Sequence, residues 1–312
     1  MTAREKRVMA ALAVAFVALA FLPALGNAYV LTLGISMAMY GVLATSWAMF
    51  SGPTHYISLA TAAFYGLGAY TMASGIEHLP YAVLVLISAV GGGVLALLVG
   101  LATLRLSGVY FVIFTLGLAE FIRQVVTWVQ NNFTGSRGLY VLTDLQDRHI
   151  YWQLLALGAI VALVGWWINR SRLGFALRII GNDELVASHV GIHAPAAKIT
   201  LFVISGVVAA VVGAIMAPRF TYIEPSMAFA PDLSFQVVIM ALLGGVHRLW
   251  GPIVGVVPFT LLWEAISASF PTQTVLLLGI AFLLIVYFIP QGVVGRLEKL
   301  RRKRASGGDG HA

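Results

Sequence analysis

Glu120 and Arg123 stand three residues apart inside an apolar run, and this is the first place in the sequence where side-chain chemistry is conceivable. On a helix that spacing puts both on one face. Opposite charges in apolar surroundings are costly unless paired, buried among helices or facing water. Three roles fit: a structural ion pair fixing helix packing, a solute path in which a zwitterion needs both signs, or a proton relay. Glu264 lies alone near the middle of another apolar run. Its plain reading is a protonated or hydrogen-bonded carboxyl facing a neighbouring helix. Ser58, Tyr110 and Thr115 are polar positions on glycine-containing runs, explained by helix–helix hydrogen bonding or by solute contact. Histidines 55, 78, 149, 189, 193, 247 and 311 show no ligand spacing, and the chain has no cysteine. Disulfides, thiolate metal sites and a cysteine nucleophile are therefore excluded, and neither a metal nor a cofactor is expected.

The elements that must position these residues are membrane-spanning. Of 312 residues 60% are hydrophobic and 10% charged, with a mean hydropathy of +0.93. A soluble domain carries about 25% charged residues. Several runs extend about 18 residues or more without a charge, enough to cross a hydrocarbon core of roughly 30 Å. The 32 glycines follow no collagen-like period and suit close approach of helices. The net charge of +7 comes mainly from the two tails and short loops. That distribution sets topology in a bilayer, and no nucleic-acid partner is expected.

Apolar runs separated by polar breaks predict an all-α polytopic protein of about ten spans, near 8–25, 29–50, 57–76, 80–103, 109–130, 150–168, 198–217, 232–246, 251–270 and 273–290. An even count places both termini on one side. The tails, residues 1–7 and 296–312, are basic, and Arg105, Arg170, Arg172, Arg178, Lys198 and Arg248 fall on the same side. Arg137, Arg148 and Arg219 fall opposite. The positive-inside bias makes both tails cytoplasmic. The first run also has the form of a secretory signal ending near Ala28, which would leave the remaining topology unchanged. Spans two to five and seven to ten pair as two four-helix groups of opposite orientation, an inverted repeat of the transporter kind.

Residues 171–197 break this pattern with a mixed, charged and helix-patterned loop. Leu173, Phe175, Ala176, Leu177, Ile179 and Ile180 give a first short helix an apolar face, with Arg172 and Arg178 free for solvent. Gly181 interrupts it; Asn182 or Asp183 caps a second helix, and Asp183 and Glu184 suit its dipole. Gly191 is placed to stop it. Helices this short need something to pack against. Their own bundle is one answer, and a groove on a partner protein is the other.

The run "GFALRIIGNDELVASHVGIHAPAAKITLFVISGVVAAVVGAI" (174–215) resembles the cytoplasmic loop and following helix of LivM-type permeases of branched-chain amino acid ABC transporters. Gly174, Ala176, Arg178, Ile180, Asn182, Glu184, Ala187, Gly191 and Ile192 keep that family's pattern, whereas Phe175, Gly181 and Asp183 depart from it. "ISLATAAFYGLGAYTMA" (57–73), "LRLSGVYFVIFTLGLAEFIRQV" (104–125), "LLGGVHRLWGPIVGVV" (242–257) and "FIPQGVVG" (288–295) resemble further family segments in the expected order. The resemblance implies one permease domain over 1–312, of the type II ABC importer kind, in the bacterial inner membrane. It implies a second homologous permease, two cytoplasmic ABC ATPase subunits and a periplasmic solute-binding protein as partners. The loop would be the ATPase-coupling element, through Arg172, Gly174, Ala176, Arg178, Asn182, Asp183, Glu184, Ala187 and Gly191. The expected solutes are branched-chain amino acids, or related amino acids, amides or urea. No G-x-x-x-x-G-K-[ST] phosphate loop occurs in the chain, so it is expected to be a transport subunit and not the enzyme. A self-sufficient, ion-coupled secondary transporter or channel is the alternative, and it gives the polar loop no task. Ser58, Tyr110, Thr115, Glu120 and Arg123 are the expected path residues.

Overall fold

A computed structural model of the chain describes residues 19–283, except 104, 105, 107, 144, 182–186, 188, 190, 247, 249, 274, 275, 278, 281 and 282. The described residues form a helical bundle: α1 Ala28–Thr54, α2 Thr61–Gly75, α3 Tyr81–Thr103, α4 Val109–Val129, α5 Asp147–Arg170, α6 Arg172–Ile180, α7 Ala194–Met216, the single turn α8 Pro225–Ala228, α9 Pro231–Gly244 and α10 Gly251–Ser269. Seven helical stretches are long and apolar enough to cross a membrane. The expected span at 57–76 is a shorter helix, α2, whose first four expected residues are not helical. The expected spans at 8–25 and 273–290 lie mostly outside the described residues, so the count of ten is not reached among them.

α7 is the axis of the bundle. It packs most extensively on α3 and α2, and also on α1. Its small residues explain why. A Cβ at Gly213 would overlap the Tyr65 backbone of α2, and one at Gly206 would overlap Ala96 of α3. From the opposite side, Gly68 and Gly92 abut Ala210 just as closely. Without a hydrophobic drive between helices in lipid, such backbone contact is what holds spans together. Around this axis Phe202 packs edge-on to Phe50 at 5.2 Å and to Phe64 at 5.5 Å. Those rings tie α7 to α1 and α2.

One end of the bundle is pinned by a two-residue antiparallel pair, β1 Leu139–Tyr140 with β2 Tyr222–Ile223. The Tyr140 and Tyr222 rings stand 4.9 Å apart, and Arg219 Nε lies 3.7 Å from Asp147. Both loops were expected on the non-cytoplasmic side, and both lie at this end. α4 is the least embedded long helix. It touches α2, α8 and α9 and presents Ile113, Phe114, Phe121, Val125 and Trp128 outward.

Candidate functional site

Between α1 and α2 residues 55–60 are not helical, and Ser58, Leu59 and Ala60 are buried. His55 caps α1 in the left-handed region at φ 58°, alone among the described non-glycine residues. Non-helical backbone at membrane depth is tolerated only where protein or water satisfies its polar groups. Here side chains from other helices do so. The indole N–H of Trp47 donates to the Ser58 carbonyl at 2.7 Å, and the Leu59 N–H donates to Thr115 Oγ1 of α4 at 3.0 Å. Ser234 of α9 works in both directions: its hydroxyl donates to the Leu59 carbonyl at 2.8 Å and accepts the Ala62 N–H at 2.9 Å. α2 begins at Ala60 with no side-chain cap of its own, so Ser234 caps it from another helix. Ser51 donates to the Tyr56 carbonyl. Lys198 of α7, 2% exposed, donates to the Tyr56 hydroxyl at 3.3 Å and lies 4.4 Å from its ring centroid.

α6 lies beside this segment. Ser171 caps it, its Oγ accepting the Gly174 N–H at 3.4 Å and donating to the Ile168 carbonyl at 2.8 Å. A Cβ at Gly174 would overlap that same carbonyl oxygen, so the tight turn from α5 into α6 demands glycine. Gly174, Leu177 and Ile180 are buried against α5, α7 and α1, and Ala176 is half-buried. The outer face carries Arg172, Arg178 and a Phe175 that is 66% exposed. Arg178 donates to the Asn169 carbonyl at 3.4 Å. At the helix end, Gly181 sits so close to α1 that a Cβ there would stand 2.8 Å from the Pro53 carbonyl oxygen. Asn182, Asp183 and Glu184 lie outside the described residues. Beyond them Ala187 is buried and helical, and Gly191 ends the segment at φ 79°.

The remaining expected residues separate into two places. Ser58 and Thr115 are buried at the unwound segment, where both serve its backbone; the Ala60 N–H donates to Ser58 Oγ at 3.3 Å. Glu120 and Arg123 form an ion pair on α4, with side chains 43% and 30% exposed. Gln124 joins them, donating to Glu120 Oε1 at 2.9 Å, while Arg123 Nε is buried without a hydrogen-bond partner. Tyr110 is 75% exposed near the start of α4. Sequence reasoning missed Lys198 and Ser234. Lys198 reads as a topology-setting cation at a span start, and Ser234 as one hydroxyl among many. Ser234 lies 172 residues from the amide that it caps, and no local signal connects the two.

A protein-family model described as "Branched-chain amino acid transport system / permease component" matches residues 28–288. The chain is similar to the high-affinity branched-chain amino acid transport system permease protein LivM of Salmonella typhimurium, at 27% identity over 98% of this chain and 79% of that protein. LivM of Escherichia coli is 25% identical over 94% of this chain and 76% of its own length. The permease protein LivH of Escherichia coli is 29% identical over 42% of each chain. Among solved structures, PsaBC from Streptococcus pneumoniae in complex with Fab aligns at 18% identity and a TM-score of 0.46, over 88% of this chain and 96% of that chain. With seven membrane-length apolar helices among the described residues and a family match over most of its length, this chain is a multi-pass membrane protein and belongs to the family of branched-chain amino acid transport system permease components.

Proposed function

We propose that the chain is the membrane-spanning permease subunit of an ATP-driven importer of small solutes, with branched-chain amino acids as the cargo. The observation that carries this reading is α6, which commits one face to the bundle and keeps Arg172, Phe175 and Arg178 outward. A plain connection between α5 and α7 has no use for an exposed phenylalanine flanked by two arginines. A helix that seats in a partner's groove does. The partner is a cytoplasmic ATPase, two copies of which supply the hydrolysis. Gly174 and Gly191 shape the coupling loop's turns, Ala176 and Ala187 seat it on the bundle, and Asn182, Asp183 and Glu184 complete the surface met by the ATPase. Both termini and α6 face the cytoplasm, in keeping with their excess of Lys and Arg. The cargo class follows that of the LivM relatives, which serve high-affinity branched-chain amino acid transport.

α4 is the face for a second, homologous permease. Glu120, Arg123 and Gln124 look outward from the middle of a 25-residue apolar stretch. Lipid is a poor neighbour for them. A second subunit enclosing a water-filled path beside α4 gives both charges a favourable setting, with Tyr110 at the seam and Ser58 and Thr115 holding the unwound segment behind it. A periplasmic binding protein delivers solute to the end that bears β1 and β2. The test is affinity capture of tagged chain in mild detergent, followed by reconstitution of the captured proteins and measurement of leucine uptake. Co-purified ATPase and permease subunits with uptake that requires ATP are the expected result. The chain alone, taking up solute on an ion gradient, overturns the proposal.

A further inference from the structure

A cavity of about 290 Å³ opens between α1, α2, α7, α9 and α10, in the half of the bundle nearer β1 and β2. Opposite charges stand on its walls: Arg219 follows α7 and Glu264 projects from α10. Glu264 is half-buried, with no hydrogen-bond or ion-pair partner among the described residues. Arg219 is ion-paired with Asp147 through Nε at 3.7 Å, and it makes no hydrogen bond among the described residues. Thr260 Oγ1, also on the wall, is buried and has no partner. A buried hydroxyl and a half-buried carboxylate, both without partners among the described residues, face the same space as a guanidinium that has one long ion pair, and buried polar groups are nearly always satisfied. Most of the remaining wall is apolar, with Met39, Met216, Met240 and Trp263 prominent, while Ser36, Tyr40 and Tyr65 add hydroxyls. Methionine adapts to apolar groups of differing shape.

We infer that this cavity binds a zwitterionic α-amino acid with an apolar side chain. The carboxylate pairs with Arg219, the ammonium with Glu264, Thr260 supplies a hydroxyl, and the side chain lies among the methionines. A simple cation offers nothing to the remaining N–H groups of Arg219 and a simple anion leaves Glu264 unanswered, whereas a zwitterion answers both. The volume corresponds to that of about ten waters, the scale of a small amino acid. Methionine walls suit leucine, isoleucine and valine together rather than one of them. The inference rests on the importer reading for its choice of probe. It adds a selective station inside this one chain, apart from the charged face of α4.

The test uses the chain assembled with its partner subunits in lipid nanodiscs, without binding protein. Binding of radiolabelled L-leucine is competed with 4-methylpentanoate, which lacks the ammonium, and with isoamylamine, which lacks the carboxylate. Each is expected to bind at least about tenfold more weakly than leucine, the size of one lost charge-assisted hydrogen bond. Glu264→Gln is expected to weaken leucine by a similar factor and leave 4-methylpentanoate unchanged. A merely structural role for Glu264 would weaken both ligands together. Thr260→Val is the second variant, expected to weaken leucine by a smaller factor. Wild-type leucine affinity in Glu264→Gln overturns the inference, as does equal binding of the three ligands. ATP-driven leucine uptake with binding protein is measured on the same preparations. Intact uptake with leucine affinity indifferent to Glu264→Gln refutes the cavity site and leaves the importer reading standing. Leucine bound as expected with no ATP-driven uptake refutes the importer reading and leaves the site standing.

Discussion

Replacing Ser234 by alanine removes one oxygen, yet the structure makes this a severe change. That oxygen donates to the Leu59 carbonyl and accepts from the Ala62 N–H. Neither backbone group has another partner among the described residues, and Ser234 is wholly buried. An interhelical side-chain hydrogen bond in a membrane contributes on average only about 0.6 kcal/mol, because the unfolded helices find partners too. The case here differs, because the groups left behind are backbone. Two stranded buried backbone groups cost about 1–3 kcal/mol each, so Ser234→Ala is expected to destabilise the fold by about 2–6 kcal/mol. Ser88→Ala is the control. Ser88 is equally buried and donates at 3.4 Å to the Gly68 carbonyl, which lies within α2. Its loss leaves helical backbone intact and is expected to cost about 0.6 kcal/mol or less. Reversible unfolding in mixed detergent and SDS micelles, followed by circular dichroism, gives both values. Adding Thr115→Val, which strands the Leu59 N–H, completes a double-mutant cycle with non-additive coupling, because both hydroxyls serve one segment. If Ser234→Ala and Ser88→Ala agree within about 0.6 kcal/mol, the cross-helix cap does not hold the segment.

Two further outcomes follow from packing. Gly213→Val drives a side chain into the Tyr65 backbone and is expected to abolish the folded chain in membranes, as read by monodisperse elution after detergent extraction. Gly41 of α1 and Gly117 of α4 have no neighbour within contact of an added Cβ. Alanine at either is expected to stabilise by about 0.5–1 kcal/mol through helix propensity. Phe175→Ala removes a mostly exposed ring. It is expected to leave the melting temperature unchanged and to lower ATPase capture at least about tenfold if that ring is the anchor of the groove contact. Equal capture by wild type and variant would remove α6 from the coupling role.

How much of this was legible in the sequence depends on distance along the chain. Seven of the ten expected spans were, because a long apolar run has a single physical reading in lipid. The helix-ending glycines at 181 and 191 were also legible, whereas Gly174 was marked by the family pattern and not as a turn. Glu120 and Arg123 were seen as a pair because a helix puts residues three apart on one face. Gln124, one position further, was not. The unwound segment was hidden for a definite reason. "HYISLATAAF" (55–64) is apolar enough to pass as helix. What unwinds it is a set of partners contributed by residues 47, 115, 198 and 234. Helix propensity is a weak prior that tertiary contacts override. Lys198 illustrates the same limit: its charge suited topology, while its burial against Tyr56 depended on the unwound segment, 142 residues away in the chain.

The unwound segment and α6 meet at Gly181, and that contact allows coupling to be separated from stability. Gly181 has φ −66°, ordinary helical backbone, so alanine is not excluded there by conformation. The obstacle is the Pro53 carbonyl oxygen, 2.8 Å from where the Cβ would sit. Real Cβ atoms essentially never come so close, so α6 and the end of α1 must move apart. That end passes at once into His55, the left-handed residue that opens the unwound segment. Displacement of α6 by an ATPase would therefore press on α1 where its helix stops, and the segment beyond is held by side-chain hydrogen bonds from four helices. Such bonds can be exchanged singly, whereas a continuous helix would resist as a unit. Gly181→Ala is expected to retain ATPase capture, since the outer face of α6 is untouched. It is also expected to lower the number of solute molecules moved per ATP, because the added methyl wedges α6 away from its seat on the end of α1. Uptake and hydrolysis measured on one proteoliposome preparation give that ratio. A ratio equal to wild type, with α6 still docked on its ATPase, would mean that force enters the bundle elsewhere than through Pro53.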